Sequence, residues 1–141
     1  MSFLLDTCVL SEFVKPRPNV GVCDWVAAQN EHQLFLSVIT VGELQKGISK
    51  LPVGRRRTDL QQWLECELLI RFQGRILDID TAVAGTWGML LGEAEGRGRP
   101  LPVIDVLMAA TAQVHGCSVV TRNESDFEPT GIAVVNPWLF P

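Results

Sequence analysis

No apolar run in this chain approaches the ~20 residues needed to cross a bilayer, because Asp, Gly or Thr interrupts each one first. The amino terminus has no basic stretch followed by an apolar one and a small-residue cleavage site. No secretory leader and no membrane partner are therefore expected, and the cytoplasm is the expected compartment. Cys8, Cys23, Cys66 and Cys117 are scattered, with no CxxC pair and no histidine at ligand spacing, which argues against zinc and reads as four reduced thiols. His32 and His115 stand alone and read as structural. Basic charge is also scarce: 12 Lys and Arg face 16 Asp and Glu, for a net charge of −4. A nucleic-acid surface would then have to be local, from Lys46 and Lys50, Arg55 to Arg57, or Arg97 and Arg99.

What is present suits one globular unit spanning 1–141. The 141 residues, 47% of them hydrophobic, suffice for a core without staples, and no repeat, low-complexity tract or second domain is visible. Phe3 to Leu5 reads as a short buried strand, Val9 to Val14 as a helix stopped by Pro16 and Pro18, and Val20 to Gln29 as a second helix. Leu34 to Leu36, continued at Val38, is the next strand. Val41, Leu44, Ile48 and Leu51 then recur at helical spacing, as do Leu60, Trp63, Leu64 and Leu68. Arg75 to Leu77 is a strand, and Asp80 caps a long helix marked by Val83, Trp87, Leu90, Leu91 and Ala94. Gly96 to Pro100 connects this helix to the apolar stretch Val106 to Val114. Strands follow at Ser118 to Thr121 and Ala133 to Val135. This alternation predicts an α/β fold with a parallel sheet covered by helices on both faces.

Four acids fall where a strand ends or a helix begins. Asp6 follows Phe3-Leu4-Leu5, Glu43 lies in the first turn of a helix starting near Thr40, Asp105 opens the Val106 helix, and Asp126 follows the Val119-Val120 strand. Open α/β sheets gather such residues beyond the carboxyl ends of their strands. Clustered carboxylates repel one another, and a hard divalent cation such as Mg²⁺, with Mn²⁺ as a substitute, relieves the conflict. Taken singly, each acid has a structural alternative as a cap, a favourable helix-end charge or a turn residue. Thr7, Thr40 and Thr121 flank the pocket and could contact metal waters or phosphate, Arg122 could contact phosphate or pair with an acid, and Asn123 could offer a neutral oxygen. Trp63 and Trp87 lie on apolar stripes, which favours core or interface over base stacking.

The blocks Leu4-Leu5-Asp6-Thr7-Cys8-Val9-Leu10-Ser11-Glu12, Ser37-Val38-Ile39-Thr40-Val41-Gly42-Glu43-Leu44, Ile104-Asp105-Val106-Leu107-Met108-Ala109-Ala110-Thr111-Ala112, Thr121-Arg122-Asn123 with Asp126-Phe127, and Val135-Asn136-Pro137-Trp138 resemble the PIN-domain family. Within it, the VapC-type and FitB-like toxins are the most similar. The resemblance implies a three-layer α/β/α sandwich and a Mg²⁺-dependent endoribonuclease, the toxin of a type II toxin–antitoxin pair. It implies Asp6, Glu43, Asp105 and Asp126 as catalytic metal ligands, and Thr7, Thr121, Arg122 and Asn123 beside RNA. It further implies a homodimer and a VapB-like antitoxin whose carboxy-terminal segment covers the groove. FitB-like proteins carry an acid where this chain has Asn123, so Asp126 is the candidate for the fourth carboxylate. Two other readings compete: a non-catalytic PIN scaffold that binds RNA or protein, and a Mg²⁺-dependent phosphatase. The second lacks the expected Asp-x-Asp, since Thr7 and Cys8 follow Asp6.

Overall fold

A computed structural model describes residues 1–141. Strand β1 (Ser2–Leu5) leads into α1 (Thr7–Glu12) and α2 (Val20–Ala28). Strand β2 (Leu34–Ser37) leads into α3 (Val38–Ser49) and α4 (Arg55–Trp63). A π turn (Leu64–Leu68) carries α4 into the short α5 (Leu69–Arg71), and β3 (Ile76–Leu77) follows. Then come α6 (Thr81–Gly96), α7 (Val103–His115), β4 (Cys117–Val120), α8 (Glu124–Phe127) and β5 (Val134–Val135). All pairings are parallel, in the order β3-β2-β1-β4-β5. No helix is long and apolar enough to cross a membrane.

Consecutive residues of a strand point to opposite faces, and both faces of β1 are covered, which is why Phe3, Leu4 and Leu5 are all apolar. Phe3 and Leu5 join Leu34, Leu36 and Val120 in one core with Val9, Leu10, Val22, Leu64 and Phe72. Leu4 faces the other way, into a core with Met108, Ala109, Ala112, Val119 and Phe127. Burying each such Leu or Val contributes about 1.5–3 kcal/mol. The two cores are the two helix layers, as expected for an α/β/α sandwich.

Several boundaries fall earlier than the sequence alone places them, and caps explain two of them. Asp6 accepts from Thr7 N at 2.8 Å, so α1 begins at Thr7 rather than Val9. Ser37 Oγ accepts from Ile39 N at 3.0 Å, so α3 begins at Val38 and Glu43 lies in its second turn. Helix α7 begins at Val103, with Asp105 inside its first turn rather than ahead of it. Asp80 does cap α6, accepting from Val83 N at 2.9 Å.

Two further contacts fix the periphery. Glu31 forms ion pairs with Arg71 (2.9 Å) and Arg75 (2.7 Å), and Arg75 also donates to the carbonyls of Glu31 and Leu34 at 2.6 and 2.7 Å. The carboxy-terminal turn Pro137–Leu139 lies so close to α2 that a Cβ at Gly21 would stand 2.8 Å from Phe140 O and 2.9 Å from Pro137 O.

Candidate active site

The chain runs β3-β2-β1 to one side and β4-β5 to the other, so the topological switch lies between β1 and β4. There the strand ends diverge and open a crevice. Asp6 sits at its centre. Its amide still donates to Val120 O at 3.0 Å, prolonging the β1–β4 ladder, while its buried side chain turns toward α1. Oδ1 accepts from Thr7 N at 2.8 Å, and Oδ2 accepts from the buried Thr121 hydroxyl at 2.8 Å. Burial pushes the Asp6 carboxyl up and Glu43 adds repulsion, while the Thr121 and Thr7 hydrogen bonds oppose the rise. Asp6 therefore caps α1 and is tied to the end of β4 through Thr121.

Glu43 is exposed on α3 and accepts a hydrogen bond from the Thr7 hydroxyl, which ties it to the residue after Asp6. Asp105 approaches half-buried from α7. Its carboxyl is pushed up to about 6 by burial first, and then by the charges of Asp126, Asp6 and Glu43. All four acids therefore share one electrostatic environment, although no three of them close into a ready-made ligand cage. Asp126 is half-buried on α8, aimed by its neighbour Phe127, which is fully buried against Met108 and Ala109 of α7. The turn holding Asp126 is ordered by Thr121, whose hydroxyl oxygen accepts from Asn123 N at 3.0 Å. No hydrogen bond to the Asp126 side chain contributes to that turn.

The hard oxygen donors and their mutual repulsion fit a divalent cation of the Mg²⁺ type. Asp6, Glu43, Asp105 and Asp126 are the residues that would hold it.

Other expected site residues divide. Thr7 and Thr121 are at the centre, holding carboxylates. Thr40 is not: it is fully buried, and its hydroxyl points to Met108 Sδ at 3.9 Å, between α3 and α7. Asn123 is exposed at the rim. Arg122 packs its guanidinium over Trp138, 4.7 Å from the ring centroid, with Nη2 3.6 Å from Glu12. Trp63 is half-buried against the first core, and Trp87 donates its indole N–H to Val103 O at 3.1 Å.

Glu12 is the residue that sequence reasoning passed over. It is buried at the end of α1, where Oε1 accepts from Asn19 N at 2.7 Å and Oε2 meets Lys15 at 2.9 Å. Burial pushes its carboxyl up, but Lys15, the Asn19 amide and Arg122 outweigh that and hold it below the usual range. The only available signal was an acid at an otherwise apolar helix position. Cys8 also adjoins the site, with its thiol 3.7 Å from the Thr121 hydroxyl and 3.9 Å from Asp6 Oδ2.

The PIN domain model matches residues 3–131. The chain is 41% identical over 135 residues to the VapC ribonuclease Y4jK of Sinorhizobium fredii, with 96% of both chains covered. It is 38% identical over 135 residues to the toxin FitB of Neisseria gonorrhoeae, covering 96% of this chain and 97% of that one. Its fold matches that of FitAB bound to a DNA fragment with a TM-score of 0.92 at 35% identity, covering 99% of this chain and 97% of the other. A likeness that spans the crevice, the strands beneath it and nearly all the rest of the chain leaves one assignment: this protein belongs to the PIN-domain family.

Proposed function

We propose that this chain is an endoribonuclease toxin that hydrolyses RNA phosphodiesters with Mg²⁺, or Mn²⁺ in its place, and is restrained by a small VapB-like antitoxin. The observation that carries the reading is the gathering of the acids at the carboxyl edge of the sheet, where the Thr121 hydroxyl bonds Asp6 and the Thr7 hydroxyl bonds Glu43, and where burial, with Asp126, Asp6 and Glu43 adding to it, raises the Asp105 carboxyl to about 6. So many acids facing one another suit a site built for a cation and for the phosphate it accompanies. The relatives named as a VapC ribonuclease and as the toxin FitB support the activity, and the FitAB assembly on DNA supports a DNA-associated partner.

When bound, the ion supplies a water of lowered pKa and offsets negative charge on the leaving oxygen. The chain's own residues position. Thr7 N and the Thr121 hydroxyl occupy one lone pair on each Asp6 oxygen and fix the carboxylate's direction. The Thr7 hydroxyl restrains Glu43, and the buried Phe127 anchors the turn that carries Asp126 against α7. Hydrolysis forms a P–O bond from water and breaks the P–O3′ bond, leaving 5′-phosphate and 3′-hydroxyl ends.

Purified protein should cleave mixed cellular RNA with Mg²⁺ and not with EDTA, and Asp6→Asn should abolish cleavage. Equal cleavage with and without EDTA would overturn the metal-dependent reading. Expression of the parent should arrest bacterial growth where Asp6→Asn does not.

A further inference from the structure

From Thr7 and Glu43 a groove of about 300 Å³ runs outward between α1, α3 and α4. That volume is at the lower end of the about 300–1,000 Å³ typical of ligand pockets. Its floor is apolar, with Leu44, Ile48 and Leu60, and its cations are Lys15 and Arg56. A more open depression of about 470 Å³ shares Val14, Arg56, Leu60 and Trp63 with it and adds Arg55 and Asp59, which pair at 3.7 Å. The walls are preformed: the side-chain amides of Gln45 on α3 and Gln61 on α4 exchange two hydrogen bonds of 2.8 Å.

Gly47 also lines this groove, in the last turn of α3. A glycine lowers helix stability relative to alanine, by at most about 1 kcal/mol and by less in a last turn. No backbone requirement accounts for it, since its φ is not positive and a Cβ would meet no atom within 4 Å. What the missing side chain leaves is open groove.

We propose that this groove is the subsite for an unpaired nucleotide of the RNA strand flanking the scissile phosphate. Its base lies over the apolar floor toward Trp63, and its phosphate meets Arg56 and Lys15. The inference rests on the ribonuclease reading. A strand leaving the acids needs cations close by, and the groove that begins at Glu43 carries two. Arg56 forms no ion pair, whereas Lys15 is steadied by Glu12. Aromatic and apolar floors accept the face of any base, so the subsite favours single strands without demanding a sequence.

The test measures binding on a cleavage-dead background, so that it does not depend on turnover. Anisotropy of a short labelled single-stranded RNA is followed with Asp105→Asn alone and combined with Gly47→Leu or Arg56→Ala. Gly47→Leu fills the groove, and its thermal transition should be unchanged or raised because leucine is the better helix former. RNA affinity should fall about tenfold. The exposed Arg56→Ala should flatten the slope of log affinity against log salt by about 0.7, the signature of one lost single-strand phosphate contact. A photoreactive base beside the cleavage position should cross-link to Leu60 or Trp63. Affinities of both variants indistinguishable from the background, or a cross-link on α6 or α8, would overturn the proposal. So would a Gly47→Leu protein that loses antitoxin capture but binds RNA normally, since the groove would then belong to the protein partner. A parent that binds RNA through this groove but never cleaves it would instead count against the nuclease reading alone.

Discussion

The Thr121 hydroxyl donates to Asp6 Oδ2 at 2.8 Å, joining residues 115 positions apart across the β1–β4 boundary. Both partners are buried, and the same hydroxyl oxygen accepts from Asn123 N. One threonine thus orients the central acid and orders the turn leading to Asp126. Thr121→Val keeps the shape and removes both bonds. Denaturant unfolding should show a loss of about 1–3 kcal/mol, the cost of leaving buried polar groups unpaired. Cleavage should fall with it, and an NMR titration should find the Asp6 carboxyl higher still.

Asp105→Asn should stabilise the metal-free protein near neutral pH. The folded carboxyl titrates at about 6 against an ordinary 3.8, so its contribution to stability is fully present below 3.8 and lost as pH rises through about 6. That displacement bounds the effect at about 3 kcal/mol, and solvent screening at a half-buried site reduces it to about 1 kcal/mol. Thermal unfolding from pH 4 to 8, with the parent falling relative to the variant, checks this. Added Mg²⁺ should stabilise the parent much more than the variant.

Asp126→Asn should leave stability nearly unchanged, because the Asp126 side chain accepts no hydrogen bond that orders its turn. The Mg²⁺ concentration for half-maximal cleavage should rise. A clear loss of stability with unchanged metal dependence would instead make Asp126 a turn residue.

Glu31 responds to pH in the opposite sense from Asp105. Arg71 and Arg75 pull its carboxyl down to about 2 from 4.5, so its contribution is present above 4.5 and lost as pH falls through about 2. The side chain is 43% exposed, and screening holds the effect to about 1 kcal/mol. Glu31→Gln should therefore destabilise the protein at pH 7 and match the parent near pH 2 in denaturant melts.

Gly21→Ala should cost about 1–3 kcal/mol, since its Cβ meets two backbone carbonyls that have no side-chain freedom to move aside. A lowered denaturant midpoint at unchanged slope is the expected result.

Much of this was legible beforehand. Apolar strands followed by Asp6 and by Thr121, together with helical stripes, carry the alternation that places the acids at the sheet's carboxyl edge. Other features were hidden because they depend on contacts between distant residues. Ser37 as a cap moved α3 back and put Glu43 one turn further along. Thr40 looked like a neighbour of the site, but its helical angle turns it onto Met108. Glu12 gains meaning only from Lys15, Asn19 and Arg122 arriving around it, and the π turn at Leu64–Leu68 leaves no mark in an apolar stripe that a regular helix would explain equally well.

Strand β1 precedes the other four strands in the chain, yet it lies in the middle of the sheet, paired to β2 on one side and, from Ser2 against Cys117 onward, to β4 on the other. During translation its second edge waits until β4 has been made. A product cut short before Cys117 has no partner for that edge, no hydroxyl for Asp6 and no Asp126 to face Asp105. The four acids proposed for the site therefore come together only after β4 and α8 have been made, and fragments cut short before them emerge as unfinished sheets.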